Sequence, residues 1–282
     1  MRPIDRTPFS IRTPGGVVRG DVRGGATGNA AIVVCHGFKG FKDWGFFPPT
    51  CEQLAVRVGC PVIGFNFSGS GVGPDLGSFS EPEAFATNTF SREVDDLEVV
   101  LDGLAAGRLG AMRLIPPARV GILGHSRGAI AAALVGSRRP EVAALAVWGG
   151  LSRPERYAEL FPPDAPEDHV VEIRNLRTGE VLPLRRDVVD DLGKHGQALD
   201  PIAALRAGGP PLLAVHGGQD EAVPVADGRT YADAAASSEF LLIEGAGHTF
   251  DVRHPWVGAT PAFERALGAT ARHFRRYLVT ED

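Results

Sequence analysis

Cysteine is scarce in this chain. There are three among 282 residues, Cys35, Cys51 and Cys60. The number is odd, and no C-x-x-C or Cys/His ligand spacing occurs, so there is no disulfide framework or zinc motif to read. Cys35 falls within the apolar run 31–35 and reads as a small core residue. Nothing approaches the ~18 consecutive apolar residues of a membrane span. No long basic tract occurs either, and the formal net charge is −5. These absences argue against a bilayer and against nucleic acid as partners. The opening MRPIDRTPFS has no apolar leader core, so a cytoplasmic location is the expectation. His169, His195 and His273 are scattered without ligand spacing, so neither a metal nor another cofactor is expected.

What is present is ordinary for a globular protein: 44% apolar and 22% charged residues. A chain of this length buries a large core without cross-links, and α/β chains of similar size often fold as one unit, so 1–282 reads as a single domain. Short apolar, β-branched runs at 30–35, 61–67, 119–124, 142–148, 211–216 and 240–243 alternate with segments of helical period. That alternation predicts an α/β fold, a mostly parallel sheet covered by helices on both faces. Residues 9–22, broken by Pro14-Gly15-Gly16, predict an antiparallel hairpin ahead of it.

Val94, Leu97, Leu101 and Leu104 recur at helical steps and predict a helix over 91–106. The alanine-rich stretch 129–135 predicts a second, and Phe263, Leu267, Ala271, Phe274 and Leu278 mark a third. Residues 151–200 break the rhythm, being charged and proline-containing. Within them 170–176 and 180–184 flank Arg177-Thr178-Gly179 and predict a β-hairpin. The segment reads as an insertion, either a cap over the site or a surface excursion remote from it.

The strongest chemical signal is Gly124-His125-Ser126-Arg127-Gly128, a match to G-x-S-x-G. Its context gives the match weight: an apolar strand runs into it and an alanine-rich helix leaves it. A sharp, strained turn there lifts a serine hydroxyl above the strand end, and the flanking glycines leave room for close backbone approach. A serine hydroxyl is a poor nucleophile until a base takes its proton. In this motif's chain order the acid follows the serine and the histidine comes last. Asp220 stands just past the run 212–217, and His248 just past 240–243. The ends of parallel strands share one rim, so such loops converge.

Glu221 and Asp251 compete for the acid role. Glu221 lies one residue along the same loop, and Asp251 follows the histidine too closely to come from another strand end. His216 and His254 compete with His248, but His216 precedes the strand-end glycines, where a structural hydrogen bond is expected. Acyl transfer also needs donors for the oxyanion. The main-chain N–H of Phe38, in His36-Gly37-Phe38-Lys39-Gly40, and that of Arg127 are the candidates. His36 reads as a brace for its loop. The glycine-rich 66–73 lacks the spacing of a phosphate-binding loop and reads as a tight loop beside the site. Tyr157, Phe161 and Trp256 are candidate aromatic walls of an acyl or alcohol pocket.

With these residues in place, the chain resembles the α/β-hydrolase superfamily over most of its length outside the insertion. It looks most like small bacterial esterases, especially the cinnamoyl and feruloyl esterase group. Members of that group similarly carry an HGF loop, here His36-Gly37-Phe38, an elbow serine, here Ser126, and an inserted cap with a hairpin. Dienelactone hydrolases and prolyl-oligopeptidase-type catalytic domains are neighbours in appearance. The resemblance implies an eight-stranded sheet with an antiparallel start and a pocket between sheet rim and cap. A dienelactone hydrolase would place cysteine where Ser126 stands. Asn66 stands where many relatives have Asp, so no role is carried over to it.

The leading expectation is therefore a serine carboxylesterase that acts on a small-molecule ester, with short-chain or aromatic acyl groups. A peptidase, amidase or thioesterase would use the same triad, and a non-catalytic binding protein could keep the same fold.

Overall fold

The apolar runs form strands and the amphipathic segments form helices in the computed structural model, which describes residues 4–25, 29–110, 115–175 and 179–279. Along them run β1 (Arg6–Thr13), β2 (Gly16–Arg23), β3 (Ala30–Cys35), α1 (Phe47–Val58), β4 (Val62–Asn66), α2 (Pro82–Ala86) and α3 (Phe90–Ala105). Then come β5 (Arg119–His125), α4 (Gly128–Gly136), β6 (Val142–Trp148), β7 (Val170–Arg174), β8 (Val181–Arg185) and α5 (Asp187–His195). The chain ends with α6 (Pro201–Gly208), β9 (Leu212–Gly217), α7 (Val225–Ala234), β10 (Ser238–Ile243) and α8 (Pro261–Leu278).

Eight strands form one sheet in the order β1-β2-β4-β3-β5-β6-β9-β10. β2 runs antiparallel to both β1 and β4. From β4 to β10 every pairing is parallel, so six neighbouring strands end at one rim. This is the α/β-hydrolase architecture, with the expected antiparallel start. β7 and β8 form the separate hairpin expected in 151–200. Of its turn, Leu176, Arg177 and Thr178 lie outside the described residues.

Local chemistry sets the helix ends. Thr89 caps α3 by accepting the N–H of Arg92 at 3.1 Å, and Thr260 caps α8 by accepting that of Phe263 at 3.0 Å. Asp200 caps α6 through the N–H groups of Ile202 and Ala203, with Pro201 preset for the first turn. The stripe Val94, Leu97, Leu101 and Leu104 is buried against one sheet face, where α4 lies wholly covered between α3 and α6. The stripe on α8 is buried on the opposite face with α1.

The loop after β3 is anchored by charge. Asp21 on β2 is 1% exposed, and its carboxylate meets Arg23 Nε at 2.7 Å and Lys42 Nζ at 2.5 Å. Asp43 also faces both cations. The Lys42 N–H donates to Asn66 Oδ1 at 2.6 Å, which ties the same loop to β4. Burial alone would raise the Asp21 pKa, but the two cations outweigh it and hold the carboxyl below its ordinary 3.8.

Asp21→Asn leaves two buried cations short of a counter-charge, and a urea titration should show a loss of about 3–5 kcal/mol. The wild-type contribution is complete above the unfolded carboxylate value of 3.8 and disappears as pH falls through the lower folded value. The variant should therefore lose less stability than wild type on acidification. A variant within about 1 kcal/mol of wild type at neutral pH, the range of exposed pairs, would contradict the anchor.

Candidate active site

Ser126 follows β5 directly and adopts φ +56°, left-handed backbone that costs a non-glycine residue on the order of 1 kcal/mol or more. Its neighbours enforce that conformation. The Ser126 N–H donates to Trp148 O at 2.9 Å, and its carbonyl accepts from Ala129 at 3.1 Å and Leu151 at 3.2 Å. The chain is thereby pinned to β6 on one side and starts α4 on the other. The sequence pattern gives the same strand, strained turn and helix.

Two strands across, Asp220 follows β9 and His248 follows β10, and the structure brings their side chains together. His248 Nδ1–H donates to Asp220 Oδ2 at 2.7 Å. The other carboxylate oxygen accepts the main-chain N–H groups of Ala222 at 2.9 Å and Val223 at 2.8 Å. His216, on β9 and fully buried, points Nε2 at Val223 O at 3.0 Å and at Asp220 Oδ2 at 3.2 Å. Burial would raise the Asp220 pKa, but the donors from His216, His248 and Val223 hold it far below the usual carboxylate range. Asp220 is thus an anion across the working pH range of most proteins, and its contact with His248 is the one that an imidazole protonated at Nδ1 makes.

Of the competing groups, Asp251 and His254 have other partners. Asp251 accepts the Gly247 N–H at 3.1 Å, and Glu221 is exposed on the loop. His254 Nδ1 accepts the Gly45 N–H at 3.0 Å, and its ring stacks on Trp44 at 5.9 Å. His36 donates from Nδ1 to Gly37 O at 2.9 Å and accepts the Phe67 N–H at Nε2, 3.2 Å away. Burial pushes the His36 pKa down to about 4, so the ring is a neutral brace between two loops.

The chain at the serine lies close to the other loops. His125 Nε2 is 3.2 Å from His248 O. A Cβ added to Gly37, in the loop after β3, would stand 2.8 Å from the serine Cβ, so only glycine allows that loop so near. Gly149, just after β6, has φ +51°, and a Cβ there would lie 3.1 Å from Asp220 Oδ2 and 3.2 Å from His248 Nδ1. The Trp148-Gly149-Gly150 step past a strand was a readable sign of such an approach, and sequence reasoning missed it.

The two candidate oxyanion residues also meet through their side chains: the Arg127 guanidinium carbon lies 5.4 Å from the Phe38 ring centroid. Tyr157 is buried with both, its ring edge-on to Phe38 at 5.2 Å. Phe161 joins the same apolar cluster beside His169, at 6.4 Å. Trp256 lies apart from these two, packed on Phe263 at 5.5 Å and 38% exposed. The 151–200 segment meets the loop after β3 where Lys39 Nζ donates to Arg174 O and Asn175 Nδ2 donates to Lys39 O, both at 3.3 Å. Among the described residues no group of three or more His, Cys, Asp or Glu side chains is placed to hold a metal ion. No helix among them is long and apolar enough to cross a membrane.

Comparison with known proteins fits this architecture. Among curated proteins none matches the chain in sequence. Solved structures match it closely in fold. The esterase domain of a Rhodothermus marinus protein shares 21% identity over 98% of this chain and 99% of its own, with a TM-score of 0.66. Est1E from Butyrivibrio proteoclasticus, in a structure with ferulic acid bound, shares 18% over 96% and 100%, with a TM-score of 0.68. A dienelactone hydrolase from Anabaena variabilis shares 16% over 98% and 100%, with a TM-score of 0.62. The model of the alpha/beta hydrolase family matches residues 32–259. With that match spanning the serine turn and both loops that carry Asp220 and His248, the chain belongs to the alpha/beta hydrolase family.

Proposed function

We propose that the protein is a serine carboxylesterase that hydrolyses short-chain or aromatic acyl esters through an acyl-enzyme. The observation that carries this reading is the 2.7 Å contact between His248 Nδ1 and Asp220 Oδ2, on the same rim as a serine held at φ +56°. A hydroxyl on a strained turn, a histidine and a buried carboxylate are the parts that acyl transfer needs.

In this mechanism the Ser126 hydroxyl attacks the ester carbonyl while His248 Nε2 takes its proton. Asp220 stays ionised and stabilises the imidazolium, and the Phe38 and Arg127 amides bind the carbonyl oxygen as it becomes an anion. The imidazolium then gives its proton to the departing alkoxide, which leaves as the alcohol. Water attacks the acyl-enzyme with His248 again as base, releasing the carboxylic acid and restoring the serine.

An ester with an aromatic or short acyl group suits the rings around Phe38, which stacks on Phe85 at 5.0 Å and meets Tyr157 at 5.2 Å. Tyr157 and Phe161 come from the inserted segment, which acts as the cap over this wall. The solved neighbours described as esterases, one of them with ferulic acid bound, support the same class of substrate.

Ser126→Ala should lower hydrolysis of p-nitrophenyl acetate or butyrate by at least about 10³-fold, with an unchanged circular dichroism spectrum. Undiminished turnover would end the proposal. Asp220→Asn should cut kcat by roughly 10⁴-fold with little change in KM, because an amide no longer fixes the tautomer of His248. A loss below about tenfold would remove Asp220 from the mechanism.

A further inference from the structure

The proposed chemistry uses the main chain of Arg127 and leaves its side chain without a task. That side chain is 1% exposed. A buried cation costs several kcal/mol unless it is paired and hydrogen-bonded, so its surroundings are informative. Arg127 Nε donates to Glu93 Oε2 at 3.0 Å, and Asn88 Nδ2 holds the same carboxylate through Oε1 at 2.7 Å. Nη1 and Nη2 make no further well-formed hydrogen bond, and the Tyr157 hydroxyl is the polar group that interacts with the guanidinium besides Glu93. Aromatic rings close around the rest of the group: the guanidinium carbon lies 4.1 Å from the Phe90 centroid, 4.6 Å from Tyr157 and 5.4 Å from Phe38. Such cation–π contacts gain strength once desolvated.

The guanidinium therefore touches three separate parts of the chain. Glu93 and Phe90 belong to α3, Tyr157 to the inserted segment and Phe38 to the loop after β3. Phe38 and Arg127 are also the two residues whose amides are assigned to the oxyanion. A flat, rigid group fixed at one end by a carboxylate sets how far apart those two stretches of backbone stand. Small errors there are expensive, since a misplacement of about 1 Å costs on the order of 10²-fold in rate.

We propose that the Arg127 side chain is a positioning residue: locked by Glu93 and gripped by Phe38, Phe90 and Tyr157, it sets the spacing of the two amides that bind the oxyanion. The proposal rests on the assignment of those amides under the proposed function. A lysine has the charge but neither the planar face nor the fork, so it cannot fill the same slot. A buried pair that served stability alone would leave the chemistry indifferent to its replacement.

The test compares Arg127→Lys with wild type on p-nitrophenyl butyrate, together with inhibition by phenylboronic acid. That inhibitor's serine adduct is a tetrahedral anion and so reports on the oxyanion pocket. The expected result is a kcat lower by about 10- to 100-fold, a KM within about twofold, and phenylboronic acid binding weakened by a factor similar to the kcat loss. If the lysine variant does not fold, the double variant R127M/E93L carries the test. It removes both buried charges together, a change that proteins often tolerate. A folded variant with wild-type kcat and wild-type phenylboronic acid affinity, even at a lower melting temperature, overturns the positioning role. A wild-type protein that neither hydrolyses the ester nor binds phenylboronic acid overturns the active-site assignment itself.

Discussion

Six neighbouring strands that run the same way must end at the same rim, and the serine turn, the Asp220 and His248 loops and the loop after β3 all hang from it. The loop after β3 brings Gly37 and Phe38, β5 leads into Ser126, and β6 leads into Gly149. β9 and β10 deliver Asp220 and His248. Residues far apart in sequence meet because the register of the parallel ladder leaves them nowhere else to go. The inserted segment adds Tyr157 to this rim and does not disturb the ladder.

The second organising feature is that three carboxylates near the rim are each held by several donors. Asp220 collects two imidazoles and two main-chain N–H groups. Asp21 collects Arg23 and Lys42, and Glu93 collects Arg127 and Asn88. Such donors hold the Asp21 and Asp220 carboxyls below their ordinary range, whereas burial prevails at Asp96 and raises its carboxyl to about 6. Each of these clusters lies next to a loop that the proposed chemistry requires to be still: 218–223, 36–43 and the turn at 126–128. The charges therefore serve placement more than net stability, which buried pairs rarely improve.

Much of this was legible in the residues. The serine turn could be read because a short motif coincided with an apolar strand and an alanine-rich helix. Asp220 and His248 could be read because each follows a recognisable strand. The helix α3 falls within a residue of the expected 91–106, and α8 carries the expected stripe from Phe263 to Leu278. Less legible was α1, whose start, Phe47-Pro48-Pro49, puts two prolines together where a helix is not expected to begin. It forms because the prolines sit in the first turn and because Phe47, Cys51 and Leu54 pack against the sheet. The helix α5, inside the charged insertion, was hidden by composition. The Arg127 cage was missed for a different reason. It joins residues 34 apart in one contact, and no periodicity encodes that. One sign was available: Glu93 falls on the buried face of α3 between Phe90 and Leu97, where an acid needs a partner.

The account turns on a single nucleophile at the end of β5. Diethyl p-nitrophenyl phosphate transfers one diethylphosphoryl group to an activated serine and releases nitrophenolate, so intact-protein mass spectrometry counts reactive serines directly. One adduct per chain is expected, located on Ser126 by peptide mapping, with ester hydrolysis lost in step with labelling. An adduct on a different residue, or an ester-hydrolysing protein that takes up no label, would contradict it.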